Sequence, residues 1–206
     1  MTAPLSPEAE DALTRLAVAI RGSPHNLVSR RSRDELESRH LPECVAFARV
    51  LPTVGPVLDL GSGGGLPGLV IAIVRPDLEV HLLEATGKKV TFLRGTARAL
   101  GLAVRVHHGR AEDLATPPRR EAYPVVTARA VAPLDRLAGW AAPYLAPGGR
   151  LFAIKGEGWR DEVHAAGAAL TGLGLTVLGD PDRDPQLGPS RDEPHRPRVV
   201  MIGRST

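Results

Sequence analysis

Apolar residues recur at helical spacing over residues 6–21, where Ala9, Leu13, Leu16, Ala17 and Ile20 share one face. Ser6 is placed to cap this helix and Pro7 suits its first turn. Glu8 and Glu10 favour the positive end of its dipole, and Gly22 can stop it. A second helix is predicted to start near Ser32, with Glu35 three residues on as a capping box. Pro42 is expected to break or kink it before 43–51 resumes.

From residue 56 the pattern changes. Val57-Leu58-Asp59-Leu60 is a short apolar strand running into Gly61, and 66–75 reads as a helix. The next strands are predicted at 79–84, 103–108, 124–128 and 150–154. Helices are predicted at 87–100, 133–145 and 158–171, and Pro147-Gly148-Gly149 is a turn into the fifth strand. Strands at 175–178 and 198–202 have no helix between them, so they should pair antiparallel. The polar, Pro-rich stretch 180–197 that joins them is expected to be a mobile loop. Apolar strands alternating with helices imply a parallel sheet covered on both faces. The expected organisation is a helical region over 1–51 and an α/β domain over 52–206.

Composition narrows the class. Of 206 residues, 43% are hydrophobic and 3% aromatic, so the core must be aliphatic. The single Cys44 excludes an internal disulfide and any Cys-cluster zinc site. The apolar run Leu69 to Val74 is too short to cross a bilayer, and the N-terminus lacks a signal pattern. A soluble, reducing, cytoplasmic setting is expected, with no membrane partner. The 26 cations exceed the 23 acids by only three, and no basic tail is present. An anionic partner is allowed but not demanded.

The strongest chemical signal is VLDLGSGGGLPG, Val57 to Gly68. A strand enters a glycine-rich turn that opens a helix, which exposes backbone N–H groups to a ligand. Glu84 ends the next strand, where it can hold ribose hydroxyls. Gly63, Gly65 and Gly68 satisfy G-x-G-x-x-G, a pattern shared by dinucleotide and single-nucleoside sites and by turns that only pack a helix on a strand. Three details favour a single nucleoside carrying a methionine moiety. Asp59 lies inside the strand, where it can orient the turn and meet a cationic group. Ala111-Glu112-Asp113 follows the third strand, where an adenine would lie. The sheet closes with the helix-free strand pair. The Tyr-x-x-x-Lys of short-chain reductases is absent, since Thr127 and Gly148 stand four residues after Tyr123 and Tyr144.

These features resemble the class I S-adenosylmethionine-dependent methyltransferases, a Rossmann-like fold with a seven-stranded, mostly parallel sheet and an antiparallel last strand. The resemblance narrows over about residues 24–203. In order stand Asn26-Leu27-Val28-Ser29, Arg39-His40, the DLGSGGGLPG turn, Leu83-Glu84 with Gly87-Lys88-Lys89, Phe92-Leu93 and Arg110-Ala111-Glu112. Then come Thr127-Ala128-Arg129-Ala130-Val131-Ala132, Ile154-Lys155-Gly156 and Arg196-Pro197-Arg198-Val199-Val200. This set resembles the bacterial small-subunit ribosomal RNA guanine-N7 methyltransferase family, RsmG or GidB.

The resemblance implies methylation of one guanine, position 527 in the 530 loop of 16S rRNA within the small subunit, by an enzyme expected to be a monomer. S-adenosylmethionine would be consumed and S-adenosylhomocysteine released. It further implies that Asp59, Gly61, Gly63, Leu66, Glu84, Ala111 and Glu112 bind the cofactor. Arg129 would lie at the cofactor–substrate junction as a catalytic and cofactor-binding residue. Lys155 would join it, and Asn26, Lys155 and Arg196 would meet the RNA. Val28-Ser29, Thr127 and Lys89 depart from the family pattern and are expected to lie away from the cofactor turn. A class I methyltransferase acting on a small molecule is the alternative, and a cofactor-free RNA-binding or ribosome-assembly protein is a third reading.

Guanine N7 has a free lone pair and no proton, so its attack on a methyl needs no general base. No acid–base pair need therefore be found. No metal is expected, because His107-His108 has no His or Cys partner at ligand spacing. His40 reads as a packed side chain rather than a base. Arg30-Arg31 and Arg119-Arg120 read as solvated pairs that could contact phosphates if beside the cleft. Trp140, Trp159 and the three Phe are too scattered to form a base-stacking platform.

Overall fold

A computed structural model describes residues 4–184, 187–188 and 195–204. The expected loop 180–197 lies in part outside the described residues. Helix α1 spans Pro7–Gly22, and Ser6 Oγ accepts from the Ala9 amide. Its buried face is Leu13, Leu16, Ala17 and Ile20, four of the five positions expected from periodicity.

The next segment departs from expectation. Helix α2 covers Arg30–Asp34, a π-helical turn covers Leu36–His40, and α3 covers Leu41–Val50. The cap is Ser29, which accepts from Ser32 N at 3.1 Å, and not Ser32. Glu35 instead reaches Arg31 and Arg39 at 3.0 and 3.2 Å. The irregularity expected at Pro42 falls just before it. Proline has no amide to donate and its ring crowds the preceding turn, so the wider turn is taken up upstream. The His40 amide donates to Glu35 O at 3.1 Å.

The α/β part runs β1 (Val57–Leu60), α4 (Gly68–Val74), β2 (Val80–Glu84), α5 (Gly87–Ala99), β3 (Val104–His108), α6 (Ala111–Leu114), β4 (Tyr123–Arg129) and α7 (Leu134–Ala141). It ends with β5 (Leu145–Lys155), α8 (Trp159–Gly172), β6 (Leu175–Gly179) and β7 (Arg198–Arg204). The short α6 was not expected. Helix α7 ends earlier than predicted, in a tight turn over Ala142–Tyr144 that contains Pro143. The turn at Pro147-Gly148-Gly149 is an irregularity within β5. Tyr123 pairs with Leu145, but Val125 pairs with Arg150.

The sheet order is β3-β2-β1-β4-β5-β7-β6. The first five strands are parallel neighbours. Strand β7 inserts antiparallel between β5 and β6, the arrangement expected from the helix-free strand pair. Strand residues alternate between two cores. Val57, Val80, Leu82 and Val125 face the α1, α3, α4 and α5 side. Leu58, Leu60, Leu83 and Val126 face α7 and α8. Both faces are covered, so the strands read as continuous apolar runs. The chain winds outward from β1 to β3, then crosses to β4. The β1/β4 boundary is thus the switch point where such sheets hold ligands, outside the carboxyl ends of the strands.

Asp59 locks that boundary. Its Oδ2 accepts the Gly68 amide at 3.1 Å, and its Oδ1 accepts Thr127 Oγ1 at 3.0 Å. One carboxylate thus ties β1 to the start of α4 and to β4. Burial pushes its carboxyl up to about 6, although hydrogen bonds from Ser62, Thr127 and Gly68 oppose the rise. The folded chain therefore favours protonated Asp59. That contribution is fully present below the unfolded value of about 3.9 and is lost as pH rises through about 6, amounting to about 3 kcal/mol. Asp59→Asn can keep both bonds, since the Thr127 hydroxyl can accept instead of donate. Urea unfolding from pH 4 to 7 should show the variant gaining on wild type by most of this amount, about 2 kcal/mol. Parallel pH profiles would show that Asp59 is not the group responsible.

Candidate active site

The carboxyl edge carries three cavities that meet around one loop. The first, of about 300 Å³, is lined by Gly61, Glu84, Lys89, Ala111, Glu112 and Trp140 among others. The second, of about 630 Å³, runs from Asn26 to Arg30 along the glycine turn at Gly61–Gly64 and Leu66, and reaches Lys89 and Arg129. The third, of about 1230 Å³, is lined by Arg31, Arg39, His40, Glu43, Arg129, Lys155, Arg196 and Arg198 with neighbours. Ala130 borders all three. It follows β4 with φ of 51°, a left-handed conformation that costs energy for a residue with a Cβ.

The glycine turn is shaped from below by carboxylates. Glu84 Oε2 accepts the Gly63 amide at 2.9 Å and Oε1 accepts the Thr86 amide at 2.8 Å. Each oxygen keeps a second lone pair, so Glu84 can still receive hydroxyl donors from the adjoining cavity. Gly61 has φ of +75°, and a Cβ there would stand 2.8 Å from Val131 Cγ2. The turn after β1 and the loop after β4 thus pack against each other only because position 61 is glycine.

Asp59 is placed differently from its expected contact with a cationic ligand. It is 1% exposed and lines none of the three cavities. Its carboxylate orients the turn from beneath, and any effect on a ligand passes through the turn.

The expected adenine side is assembled as a cavity wall. Ala111 and Glu112 open α6, and Tyr144 Oη donates to Ala111 O at 2.6 Å, pinning the helix from beneath. Burial raises the Tyr144 hydroxyl to about 12, which keeps it a donor. Trp140, on α7, completes this wall. Periodicity identified α7 but could not say that position 140 looks into the site. Lys89 was also missed as a site residue: it borders both the Glu84 and the glycine-turn cavities.

The three expected substrate residues do not share one cavity. Asn26 lies on the glycine-turn side, while Lys155 and Arg196 line the large cavity. Arg129 borders both. Lys155 Nζ donates to Ala132 O at 3.0 Å and to Glu162 Oε2 at 2.7 Å. One of its three protons remains for a ligand. Its bond to Ala132 O braces the strained loop at Ala130–Ala132, and its bond to Glu162 ties it to α8.

The family departures do touch the turn, contrary to expectation. A Cβ at Gly64 would stand 3.3 Å from Val28 Cγ1, Thr127 bonds Asp59, and Ser29 and Lys89 line the glycine-turn cavity. They were misplaced because 28–29 and 89 are distant in sequence and come to the turn only by packing.

His40 is packed, at 7% exposure, beside Glu43 and Arg129. His107 lies on β3 with Nε2 3.3 Å from His81 Nδ1, which is 2.8 Å from Tyr123 Oη. Among the described residues no group of three or more His, Cys, Asp or Glu is placed to hold a metal.

Taken together, the cavities offer a paired-acceptor carboxylate, an apolar and aromatic wall, and a glycine-lined trough leading to a cationic chamber. That donor set fits a nucleoside with a short polar tail beside an anionic second ligand. Solved structures with the same fold include a mutant of MtNAS in complex with S-adenosylmethionine (TM-score 0.60, 18% identity, 95% of this chain and 73% of that one). The mitomycin 7-O-methyltransferase MmcR matches at TM-score 0.61 and 18% identity, over 97% of this chain and 69% of that one. The [4+2]-cyclase SpnF matches at 0.59 and 19%, over 98% of each. These define a class I, Rossmann-like methyltransferase fold, and the cyclase among them shows that the fold alone does not set the reaction.

The family model for rRNA small subunit methyltransferase G, GidB, matches residues 14–179, and the chain belongs to that family. A ribosomal RNA small subunit methyltransferase G from Kineococcus radiotolerans is 45% identical over 169 residues, covering 81% of this chain and 65% of the relative. One from Salinispora tropica is 40% identical over 198 residues, covering 84% and 80%. The matched part thus spans just under two thirds of the Kineococcus protein.

Gly61→Ala is expected to displace Val131 and the Ala130 loop and to weaken S-adenosylhomocysteine binding at least about tenfold. Titration calorimetry measures this, and an unchanged Kd would show that the glycine packing does not shape the cavities.

Proposed function

We propose that this chain transfers a methyl group from S-adenosylmethionine to N7 of a guanine in small-subunit ribosomal RNA, the one at position 527 in the 530 loop of 16S rRNA. The observation that carries this reading is the junction at Arg129. A nucleoside-sized trough and a large cation-lined chamber meet there, in a chain of the small-subunit rRNA methyltransferase family. Phosphates are drawn to such a chamber irrespective of base sequence. The overall charge of +3 did not foretell it, because six cations converge there, against three acids (Glu43, Glu157 and Glu162), from α2, the π-helical turn, β4, β5, the segment before β7 and the start of β7.

In this reading the 52–206 part holds the cofactor and the 1–51 part shares in walling the RNA chamber. Glu84 accepts the ribose hydroxyls. Ala111, Glu112 and Trp140 flank the adenine. Gly61, Gly63 and Leu66 admit the methionine arm, with Asn26 across the trough and Asp59 holding the turn. The cofactor, when bound, supplies an electrophilic methyl on a sulfonium. Arg129 orients the guanine or an adjoining phosphate at the junction. Lys155 braces the Ala130 loop and lends its third proton to guanine O6 or a phosphate, and Arg196 faces the same chamber.

No general base is required, and the acids and the imidazole packed nearest the Arg129 junction are already engaged. Glu43, Asp59 and Glu84 all accept hydrogen bonds, and His40 is tied to Arg129. Alignment and water exclusion then carry the catalysis, and positioning alone can supply about 7–11 kcal/mol. The partner is the small subunit in the cytoplasm, and no described helix is long and apolar enough to cross a membrane.

The test is methyl transfer from labelled S-adenosylmethionine to 30S subunits from a strain lacking this activity, with the product nucleoside identified by mass spectrometry. The expected label is 7-methylguanosine in the 530 loop. Arg129→Ala should lower transfer by about 100-fold or more, with circular dichroism unchanged. Label elsewhere, or none, would overturn the substrate. Full transfer by the variant would remove Arg129 from the site.

A further inference from the structure

Arg129 reaches the cavity junction on a long side chain that must be held in one rotamer to act there. Among the described residues, the partners of its guanidinium all fall within one five-residue stretch, 40–44, of the N-terminal helices. Nη1 donates to Cys44 Sγ at 3.2 Å, Nη2 approaches His40 Nδ1, and Nη2 lies 3.8 Å from Glu43 Oε2. These groups sit on the π-helical turn and α3, some 85 residues away in sequence.

Among them, Glu43 can set the orientation. His40 Nδ1 is 3.2 Å from Glu43 Oε2 as well as beside Arg129. One ring nitrogen serves either the acid or the guanidinium, not both. Cys44 is buried and its thiol is pushed up to about 11, so it is a weak, neutral acceptor. The Glu43 carboxylate has lone pairs for all: Arg39 Nε donates to Oε1 at 2.8 Å while His40 and Arg129 face Oε2. Glu43 is 16% exposed and Arg129 13%, so their attraction is little screened. Burial alone would raise the Glu43 carboxyl, but hydrogen bonds from His40 and Arg39 and the charge of Arg129 outweigh it and hold it ionised.

We infer that Glu43 is a positioning residue for methyl transfer: it fixes the Arg129 guanidinium between the glycine-turn cavity and the cationic chamber, and so makes α3 part of the active site. The inference rests on the function proposed above. Glu43 also separates two cations, Arg39 and Arg129, that both face the chamber and would otherwise repel each other. The same carboxylate therefore sets both the place of Arg129 and its spacing from Arg39.

The experiment is a double-mutant cycle of Glu43→Gln and Arg129→Lys, read by methyl transfer to 30S subunits and by S-adenosylhomocysteine binding. Glu43→Gln keeps the shape and removes the charge. It should lower kcat about 10- to 100-fold, with cofactor Kd within about threefold. On the Arg129→Lys background the further loss should be less than about threefold, because the orienting target is gone. Additive losses, or a fall in cofactor affinity that tracks lost thermal stability, would overturn the inference. Should Glu43→Gln not fold, Glu43→Asp, which keeps the charge but withdraws it by one methylene, reads the same split. Side-chain NMR of Arg129 supplies a readout without turnover. Hindered rotation should resolve its Nη signals in wild type and be lost in Glu43→Gln, and unchanged signals would overturn the contact. Absence of transfer by wild type would instead overturn the proposed function, with the NMR result still deciding whether Glu43 holds Arg129.

Discussion

The site depends on one buried carboxylate being kept where a neutral group would be cheaper. Asp59 is the point through which β1, the glycine turn and β4 are tied, by bonds to the Gly68 amide and the Thr127 hydroxyl. A Cβ at Gly68 would stand 2.5 Å from Asp59 Oδ2, so the close approach needs glycine as well as acid. Backbone ladders hold the end of β4 to β1 and β5, and the Asp59 side chain adds the tie from that ladder to the start of α4. Both cavities that could take a nucleoside are bounded by these segments. Hydrogen bonds from Ser62, Thr127 and Gly68 offset part of the desolvation cost of the Asp59 charge.

Much of the fold was legible because it rests on local chemistry. Short apolar runs located the strands, helical spacing located the long helices, and Ser6 did cap α1. The antiparallel pairing of β7 followed from the missing helix after β6. What escaped was set by distant packing. Ser29 rather than Ser32 caps α2, and the irregularity lies upstream of Pro42, in a turn whose Leu36 and His40 are buried. The expectation that Val28, Ser29 and Lys89 stand clear of the turn failed for the same reason. Sequence distance says little about which loops share a sheet edge.

The candidate site was legible in its backbone and less so in its walls. The glycines, Glu84 and the Ala111-Glu112 pair announce themselves by position after strands. Trp140 and Glu43 do not, since each lies within a helix whose exposed positions look alike in sequence. Counting charges along the chain likewise concealed the chamber. Arg31, Arg39, Arg129, Lys155, Arg196 and Arg198 are scattered through neutral stretches and converge only on folding.

The loop at Ala130–Ala132 shows how these pieces depend on one another. Ala130 is held in a left-handed conformation that it would not adopt alone. Three contacts oppose its relaxation. Val131 packs against the bare Cα of Gly61, Lys155 grips Ala132 O, and Arg129 is anchored to the N-terminal helices. Two of these contacts come from the turn after β1 and the end of β5, and one from the π-helical turn and α3. The strained residue lies where all three cavities meet. Relaxing any anchor would let the loop move and change the separation between trough and chamber. The strain at Ala130 is therefore held from three directions, and the spacing of the cavities follows from contacts that lie far apart in sequence.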